Sequence, residues 1–475
     1  MKRLTPIAFA LLVIGIMPGA QAEDNPGASL IARGQSLAVA SDCAACHTNS
    51  REQGKPFAGG YGISSPMGTI YSTNITPSVS AGIGNYTEQQ FSRALREGIR
   101  RDGTRLYPAM PYTAYTKFSD DEIKALYAYF MHGVAPVDTP AATHTDLPFP
   151  FSIRASMAVW NLLYLDNQRF IPDASKSREW NEGAALVQGA AHCGACHTPR
   201  NILMAEDNAR FLQGAQLGPW FAPDITANNT TGIGDWSEQD IVDYLQTGRV
   251  AGRAQAAGPM AEAIEHSLQH LSREQLRAIA LYLKSLSPEP GNQLASASLA
   301  HSPDVKTWDS ELQLRGAYPQ NATNSLTSGE ALYSGYCSSC HQPDGSGSKN
   351  QAYPSLFSNT VTAANNPSNL VAAILFGVDR DAAGQHVLMP SFGEGSYVGE
   401  LTDHQVAAIA NYVLQKYGDP SVTVSESFVR EIRNGGPKPF LALIQPWIIP
   451  GMIGAGAVIV LLILWLAFRR RHHPA

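Results

Sequence analysis

The sequence has no cysteine to spare. All six of its cysteines fall within three Cys-x-x-Cys-His motifs, so none remains from which a disulfide framework could be built. It also lacks a Gly-x-Gly-x-x-Gly fingerprint at a strand-to-helix turn, and it shows no recognisable seat for flavin, pyrroloquinoline quinone or molybdopterin. Charge is scarce. Asp, Glu, Lys and Arg make up 16% of the chain, and 34 basic residues stand against 40 acidic ones for a formal charge of −6. Lys2, Arg3, Arg469, Arg470 and Arg471 lie at the extreme ends, so the body between them is more acidic still, which argues against nucleic acid as a partner. With 44% hydrophobic residues over 475, the composition is that of a globular protein long enough for two to four domains.

Long apolar runs occur only at the two ends. Lys2 and Arg3 precede an apolar stretch from Ile7 to Met17 and then Ala20-Gln21-Ala22, the three-part pattern of a secretory signal, which places the expected mature start at Glu23. That stretch is too short to cross a bilayer. At the other end, Trp447 to Phe468 contains no charge, and at 1.5 Å per residue it would span about 33 Å against a hydrocarbon core of roughly 30 Å. Three arginines follow at once. By the positive-inside rule they face the cytoplasm, so the rest of the chain is expected to be exported and anchored in the membrane by one C-terminal helix.

The motifs are Cys43-Ala-Ala-Cys46-His47, Cys193-Gly-Ala-Cys196-His197 and Cys337-Ser-Ser-Cys340-His341. This spacing lets two thiols form thioethers to haem vinyl groups while the following histidine binds iron. A redox disulfide or a zinc site also uses Cys-x-x-Cys, but neither requires a histidine directly after the second cysteine. Three covalently bound haem c groups are expected, with His47, His197 and His341 as iron ligands.

The first two motif regions are copies at an offset of 150 residues. Ile75-Thr76 maps onto Ile225-Thr226, and Gly82-Ile-Gly-Asn-Tyr-Thr-Glu88 maps onto Gly232-Ile-Gly-Asp-Trp-Ser-Glu238. The same offset maps Met110 onto Met260, each 63 residues after its histidine, in stretches bearing Pro108, Pro111 or Pro259 that read as loops. A thioether opposite histidine makes a six-coordinate, low-spin iron of raised potential, suited to passing electrons. Met389, followed by Pro390 and 48 residues after His341, is the matching candidate in a more compact third domain. Met67, Met131, Met157 and Met204 read as core filler, and His132, His266, His270 and His386 as surface or supporting residues.

Each domain is expected to close with a capped amphipathic helix, at Ser119 to Glu122, Ser272 to Gln275 and Thr402 to Gln405. Apolar residues follow at helical spacing, as in Ile123, Leu126, Tyr127 and Phe130. Further capping signals stand at Thr87 to Gln90, Ser237 to Asp240 and Thr327 to Glu330. The expected fold is all-α with little sheet: three cytochrome c-like domains in tandem plus one transmembrane helix. The expected divisions are a signal peptide over 1–22, domains over 23–137, 182–290 and 327–417, a bridging segment over 138–181 and a linker over 291–326. A tether over 418–446, the membrane helix over 447–468 and a cytoplasmic tail over 469–475 complete the chain. Within the bridge, the apolar stretch Met157 to Leu165 reads as interdomain packing, with docking on a partner or a membrane surface as its other use.

On these residues the chain resembles the triple-haem cytochrome c subunit of bacterial membrane-bound dehydrogenases, the group serving alcohol, gluconate, sorbitol and fructose oxidation. The resemblance covers about residues 30–417 and rests on Ile70-Tyr-Ser-Thr-Asn-Ile-Thr-Pro77, Tyr107-Pro-Ala-Met-Pro-Tyr112, Ala125-Leu-Tyr-Ala-Tyr-Phe130 and His192-Cys-Gly-Ala-Cys-His-Thr-Pro-Arg200. In that family Met110, Met260 and Met389 match the methionine ligands. Gly329, Leu332-Tyr333, Gly345, Gly347 and Pro354 look like a mitochondrial-type cytochrome c domain, in which a proline like Pro354 orients the iron-binding histidine. The resemblance implies a bacterial inner membrane with the haem domains in the periplasm, a separate periplasmic catalytic subunit that oxidises the substrate, and a relay of electrons through this chain to ubiquinone in the membrane or another respiratory acceptor. Domain two departs from the pattern in lacking a proline after Met260.

Other readings of a three-haem chain are a cytochrome partner of a molybdenum hydroxylase acting on aldehydes or N-heterocycles, a donor to a terminal oxidase, and a haem peroxidase. The last needs an iron with an open sixth site, which a methionine for every motif opposes. Neighbouring genes separate the first of these from a sugar or polyol dehydrogenase.

Overall fold

The computed structural model describes residues 26–140, 144–287, 308–315 and 326–472. The expected signal peptide and most of the 291–326 linker lie outside these residues.

Helices dominate, and each haem domain is built on one crossing of its first and last helices. The pairs are Pro26–Ala40 with Asp120–Ala128, Arg178–Ala185 with Arg273–Lys284, and Gly329–Tyr336 with Asp403–Tyr417. All three crossings are closed by a glycine. A Cβ on Gly34 would lie 2.0 Å from the Ala125 carbonyl oxygen, one on Gly183 1.9 Å from that of Ala278, and one on Gly329 2.3 Å from that of Ala408. Backbone therefore rests on backbone, closer than any side chain permits. In each case the tyrosine four residues further on, Tyr129, Tyr282 or Tyr412, covers the other side of the same glycine.

The caps show why the helices start where they do. Capping boxes form at Thr87 with Gln90, Ser119 with Glu122, Ser237 with Asp240, Ser272 with Gln275 and Thr402 with Gln405. In the third domain the cap is Ser328, accepting from the Ala331 amide, rather than Thr327. Gly329 is thus the first helical residue, and it meets the Ala408 carbonyl. The first helix of domain two begins at Arg178, capped by Ser177, ahead of residue 182.

Among the described residues, strand is confined to four short antiparallel hairpins. Gly62–Ser65 pairs with Gly68–Tyr71, and Gln213–Leu217 pairs with Trp220–Asp224 at the corresponding place in the repeat. Arg249–Val250 pairs with Ala254–Gln255, and Val378–Ala382 with Gln385–Met389.

Domains one and two share one hydrophobic core, in which Phe118, Leu126 and Phe130 join Val187, Leu276 and Ile279. Domain three has its own, around Leu332, Tyr333, Ile409 and Leu414. It is seated on domain two by polar contacts. Asn369 clamps the Phe221 backbone, accepting from its amide at 2.9 Å and donating to its carbonyl at 2.8 Å. The Thr360 amide donates to the Arg253 carbonyl at 2.8 Å. Arg380, 1% exposed, reaches from the third-domain hairpin to donate to the Ala256 carbonyl at 2.7 Å and to Gln255 Oε1 at 2.9 Å.

The stretch read as a tether does more than lead to the membrane. It holds a helix, Glu426–Arg433, whose Val429 and Ile432 are buried in the third core, and whose Arg433 bonds Asp403 at 2.8 Å. The C-terminal helix runs from Phe440 to His472, starting well before Trp447 because the residues from Phe440 to Gln445 are themselves helix-compatible. Its segment Phe440–Leu466 is long and apolar enough to cross a membrane. The bridge holds a helix at Ser156–Tyr164. Its Asn161 accepts from the Tyr112 hydroxyl at 2.8 Å and donates to the Glu97 carbonyl at 2.9 Å, while Trp160 Nε1 donates to the Leu203 carbonyl at 2.9 Å. The expected interdomain packing is therefore present.

Candidate haem sites

Each Cys-x-x-Cys-His motif folds into a single helical turn. Cys43–His47 is helical throughout, while Gly194–His197 and Ser338–His341 follow a cysteine in helical conformation. The His197 amide bonds the Cys193 carbonyl at 2.9 Å, and the His341 amide bonds the Cys337 carbonyl at 2.9 Å. Residues i, i+3 and i+4 of a helical turn share a face, so both sulfurs and the imidazole are presented to one side. This geometry is local, which is why the motif works in three different surroundings.

The imidazoles are then aimed by distant backbone. His47 Nδ1 lies 2.7 Å from the Thr73 carbonyl oxygen, His197 Nδ1 2.7 Å from that of Pro223, and His341 Nδ1 2.9 Å from that of Pro354. A carbonyl oxygen only accepts, so Nδ1 carries the proton and Nε2 is left with a free lone pair for a metal. Burial lowers the pKa of all three rings, against an opposing pull from the carbonyl bond, so they are neutral and able to ligate. Thr73 and Pro223 stand at the same 150-residue offset as the motifs. Of the three carbonyls, that of Pro354 is the one the resemblance had implied.

The thiols suit thioether chemistry better than a redox or zinc role. Burial pushes Cys43, Cys193 and Cys337 up to about 12, the opposite of the lowered pKa that a reactive Cys-x-x-Cys needs. Among the described residues no three His, Cys, Asp or Glu side chains converge as a metal-binding group.

The second and third sites open into one cavity of about 530 Å3. Cys193, Cys196, His197 and Met260 line it from domain two, and His341, Pro354 and Met389 from domain three. Each histidine thus shares its cavity with the methionine paired to it by sequence. Met260 does not sit in a loop as expected: Gly258–His266 is a helix, which Pro259 can open because proline is pre-set for the first turn. Met389 ends the hairpin strand Gln385–Met389. Met110 is in a loop and packs with Cys43 against the shared core of domains one and two. Of the other histidines, His386 bonds the Asp379 carboxylate at 2.7 Å on the surface, and His270 bonds the Glu265 carbonyl.

The first motif lies beside the second site: Ala40 and Asp42, just before it, also line the large cavity, and its helical turn Cys43–His47 packs against the helix that carries Met260. Asp42 was missed in the sequence. It is held at φ 52, burial followed by the nearby Glu262 pushes its carboxyl up to about 8, and its Oδ1 is buried without a hydrogen bond. Nothing in local spacing marks it, since its setting is made by another domain. Gly34 and Gly183 were also missed, although each precedes its motif by nearly the same distance as Gly329.

A helix crossing closed by glycine, a helical Cys-x-x-Cys-His turn and a histidine with Nε2 free define cytochrome c domains. The chain carries three of them, each for one covalently bound haem c. Family models agree: "Cytochrome c" matches residues 31–133 and 181–287, and "Cytochrome C oxidase, cbb3-type, subunit III" matches 324–413. The chain is 47% identical to the fructose dehydrogenase cytochrome subunit of Gluconobacter japonicus over 99% of its length and 98% of that protein. It is 38% identical to the cytochrome c subunit of the quinone-type alcohol dehydrogenase of Gluconobacter oxydans (strain 621H), over 92% of this chain and 89% of that one. It is also 38% identical to the gluconate 2-dehydrogenase cytochrome c subunit of Pantoea cypripedii, over 89% and 94%. The chain belongs to the family of electron-transferring cytochrome subunits of bacterial dehydrogenases.

Proposed function

We propose that this chain collects electrons from a periplasmic dehydrogenase subunit and relays them to ubiquinone in the inner membrane, to which its C-terminal helix anchors it. The carrying observation is that the three sites adjoin one another. The second and third share a cavity, and the first reaches it through Ala40 and Asp42. The full-length likeness to a fructose dehydrogenase subunit favours a sugar-oxidising partner.

In this reading Cys43 and Cys46, Cys193 and Cys196, and Cys337 and Cys340 form the thioethers. His47 with Met110, His197 with Met260 and His341 with Met389 would hold the three irons. When bound, the haem irons supply one-electron redox chemistry. The protein holds each imidazole through its Nδ1 bond to a backbone carbonyl, and a methionine sulfur would keep substrate from the iron. Met260 and Met389 lining the same cavity as their histidines supports a carrier over a peroxidase.

The test is a redox titration and pyridine-haemochrome assay of the purified protein, with Met110, Met260 and Met389 each replaced by alanine. Three low-spin c haems are expected, and each substitution should shift one potential or open one iron to carbon monoxide. A high-spin haem that binds peroxide in the unaltered protein would refute the assignment.

A further inference from the structure

The bridge helix Ser156–Tyr164 contains no charged residue and is apolar on both faces. One face, Trp160, Asn161 and Tyr164, is accounted for by packing: Asn161 is clamped between Tyr112 and Glu97, and the Trp160 ring lies 5.4 Å from Tyr164 and 6.5 Å from Tyr112. The other face is not. Val159, Leu162 and Leu163, at i, i+3 and i+4, are 63%, 85% and 60% exposed. The turn carrying Ile202, itself 61% exposed, is tied to the same helix by Trp160 Nε1 on the Leu203 carbonyl. A helix apolar all round is normally buried, and a contiguous exposed apolar surface normally has an occupant.

We infer that this face, Val159, Leu162 and Leu163 with Ile202, lies in the lipid surface of the membrane that the C-terminal helix enters. The inference rests on the anchor reading above and extends it from one helix to a face of the haem domains. The occupant is lipid because the segment that leads into the patch is hydrogen-bonded to the anchor. Gln445, inside the anchor helix, donates from Nε2 to the Phe149 carbonyl at 3.0 Å. From Phe149 the chain runs directly into the bridge helix, pinned on the way by the Tyr107 hydroxyl on the Phe151 carbonyl at 2.6 Å and by Arg154 on the Arg105 carbonyl at 3.0 Å. Two residues beyond Gln445, Trp447 is 72% exposed, and tryptophan is enriched at lipid–water interfaces. The bridge helix is thereby tied, through the Phe149 carbonyl, to the end of the anchor that bears Trp447.

The consequence concerns which haem sites meet the bilayer. Tyr112, two residues from Met110, bonds Asn161 of the bridge helix, so this placement brings the first site toward the lipid that dissolves a quinone.

The experiment places the photoreactive residue p-benzoylphenylalanine at position 162 of the full-length holocytochrome, assembled with its dehydrogenase partner in the native membrane. Parallel samples carry it at Leu461 within the anchor and at Val79, an exposed position in domain one. After irradiation, adducts are read by mass spectrometry. Lipid adducts at 162 and 461 but not at 79 are expected. A polypeptide adduct at 162 would overturn the inference in favour of a protein partner. Lipid at 461 with none at 162 would overturn it while leaving the anchor intact. No lipid at 461 would remove the anchor reading, and the inference would fall with it.

Discussion

Replacing Arg380 with methionine asks what holds the third haem domain on the second. The guanidinium is buried, donates to the Ala256 carbonyl and to Gln255, and has no carboxylate in ion-pair contact among the described residues. Each hydrogen bond from a charged group contributes about 1.5–3 kcal/mol, and methionine cannot replace either. The loss is partly offset, since a buried cation no longer has to be desolvated, and Arg380 Nε was without a partner in any case. A net cost of about 3 kcal/mol follows, which for a domain of this size corresponds to a fall of roughly 12–24 °C in the melting temperature of the third domain. Calorimetry of the holocytochrome should show that domain melting separately and earlier. After photoreduction at the third haem, equilibration with the second should slow, while the absorption spectrum of each haem stays unchanged. Arg380→Lys should recover part of both effects. An unchanged melting profile and unchanged equilibration in Arg380→Met would refute the view that this side chain seats the domain.

Gly183→Val forces side-chain atoms into the Ala278 carbonyl, so domain two should lose at least about 3 kcal/mol, at the upper end for overpacking, and thermal denaturation should show that loss in the second domain first. Asp42→Asn tests a pH dependence. Because the folded-state pKa of Asp42 is raised to about 8 from an ordinary 3.8, the native state holds that proton more tightly. The associated stability is complete below the unfolded value and declines as pH rises to about 8. Denaturant midpoints at pH 5 and pH 8 should differ more in the natural protein than in Asp42→Asn, and parallel curves would count against it. Thr402→Ala removes the capping box of the third domain's last helix and should cost about 1 kcal/mol, measurable as a shift in the denaturant midpoint without change in the haem spectra.

The haem count and most of the helix starts were legible in the chain because both are short-range. A thiol at i, a thiol at i+3 and an imidazole at i+4 come together within one helical turn wherever that turn is placed. Ser119, Ser237, Ser272 and Thr402 cap their helices through residues three positions away. The 150-residue repeat paired Met110 with Met260 and would also have paired Thr73 with Pro223, had the carbonyls been sought.

What could not be read from spacing depends on surfaces brought together by the whole fold. Met260 was expected in a loop and stands in a helical turn, because Pro259 opens a helix there. Asp42 becomes a buried carboxyl through its neighbours in domain two, and Arg380 becomes a seat only once the third domain's hairpin meets Gln255 and Ala256. The merging of the second and third sites into one cavity, and the exposure of Leu162 on a helix whose other side is packed, are likewise properties of assembly. Local periodicity governs hydrogen bonds a few residues apart, whereas burial, unpartnered charge and the joining of cavities arise from contacts between residues more than a hundred positions apart.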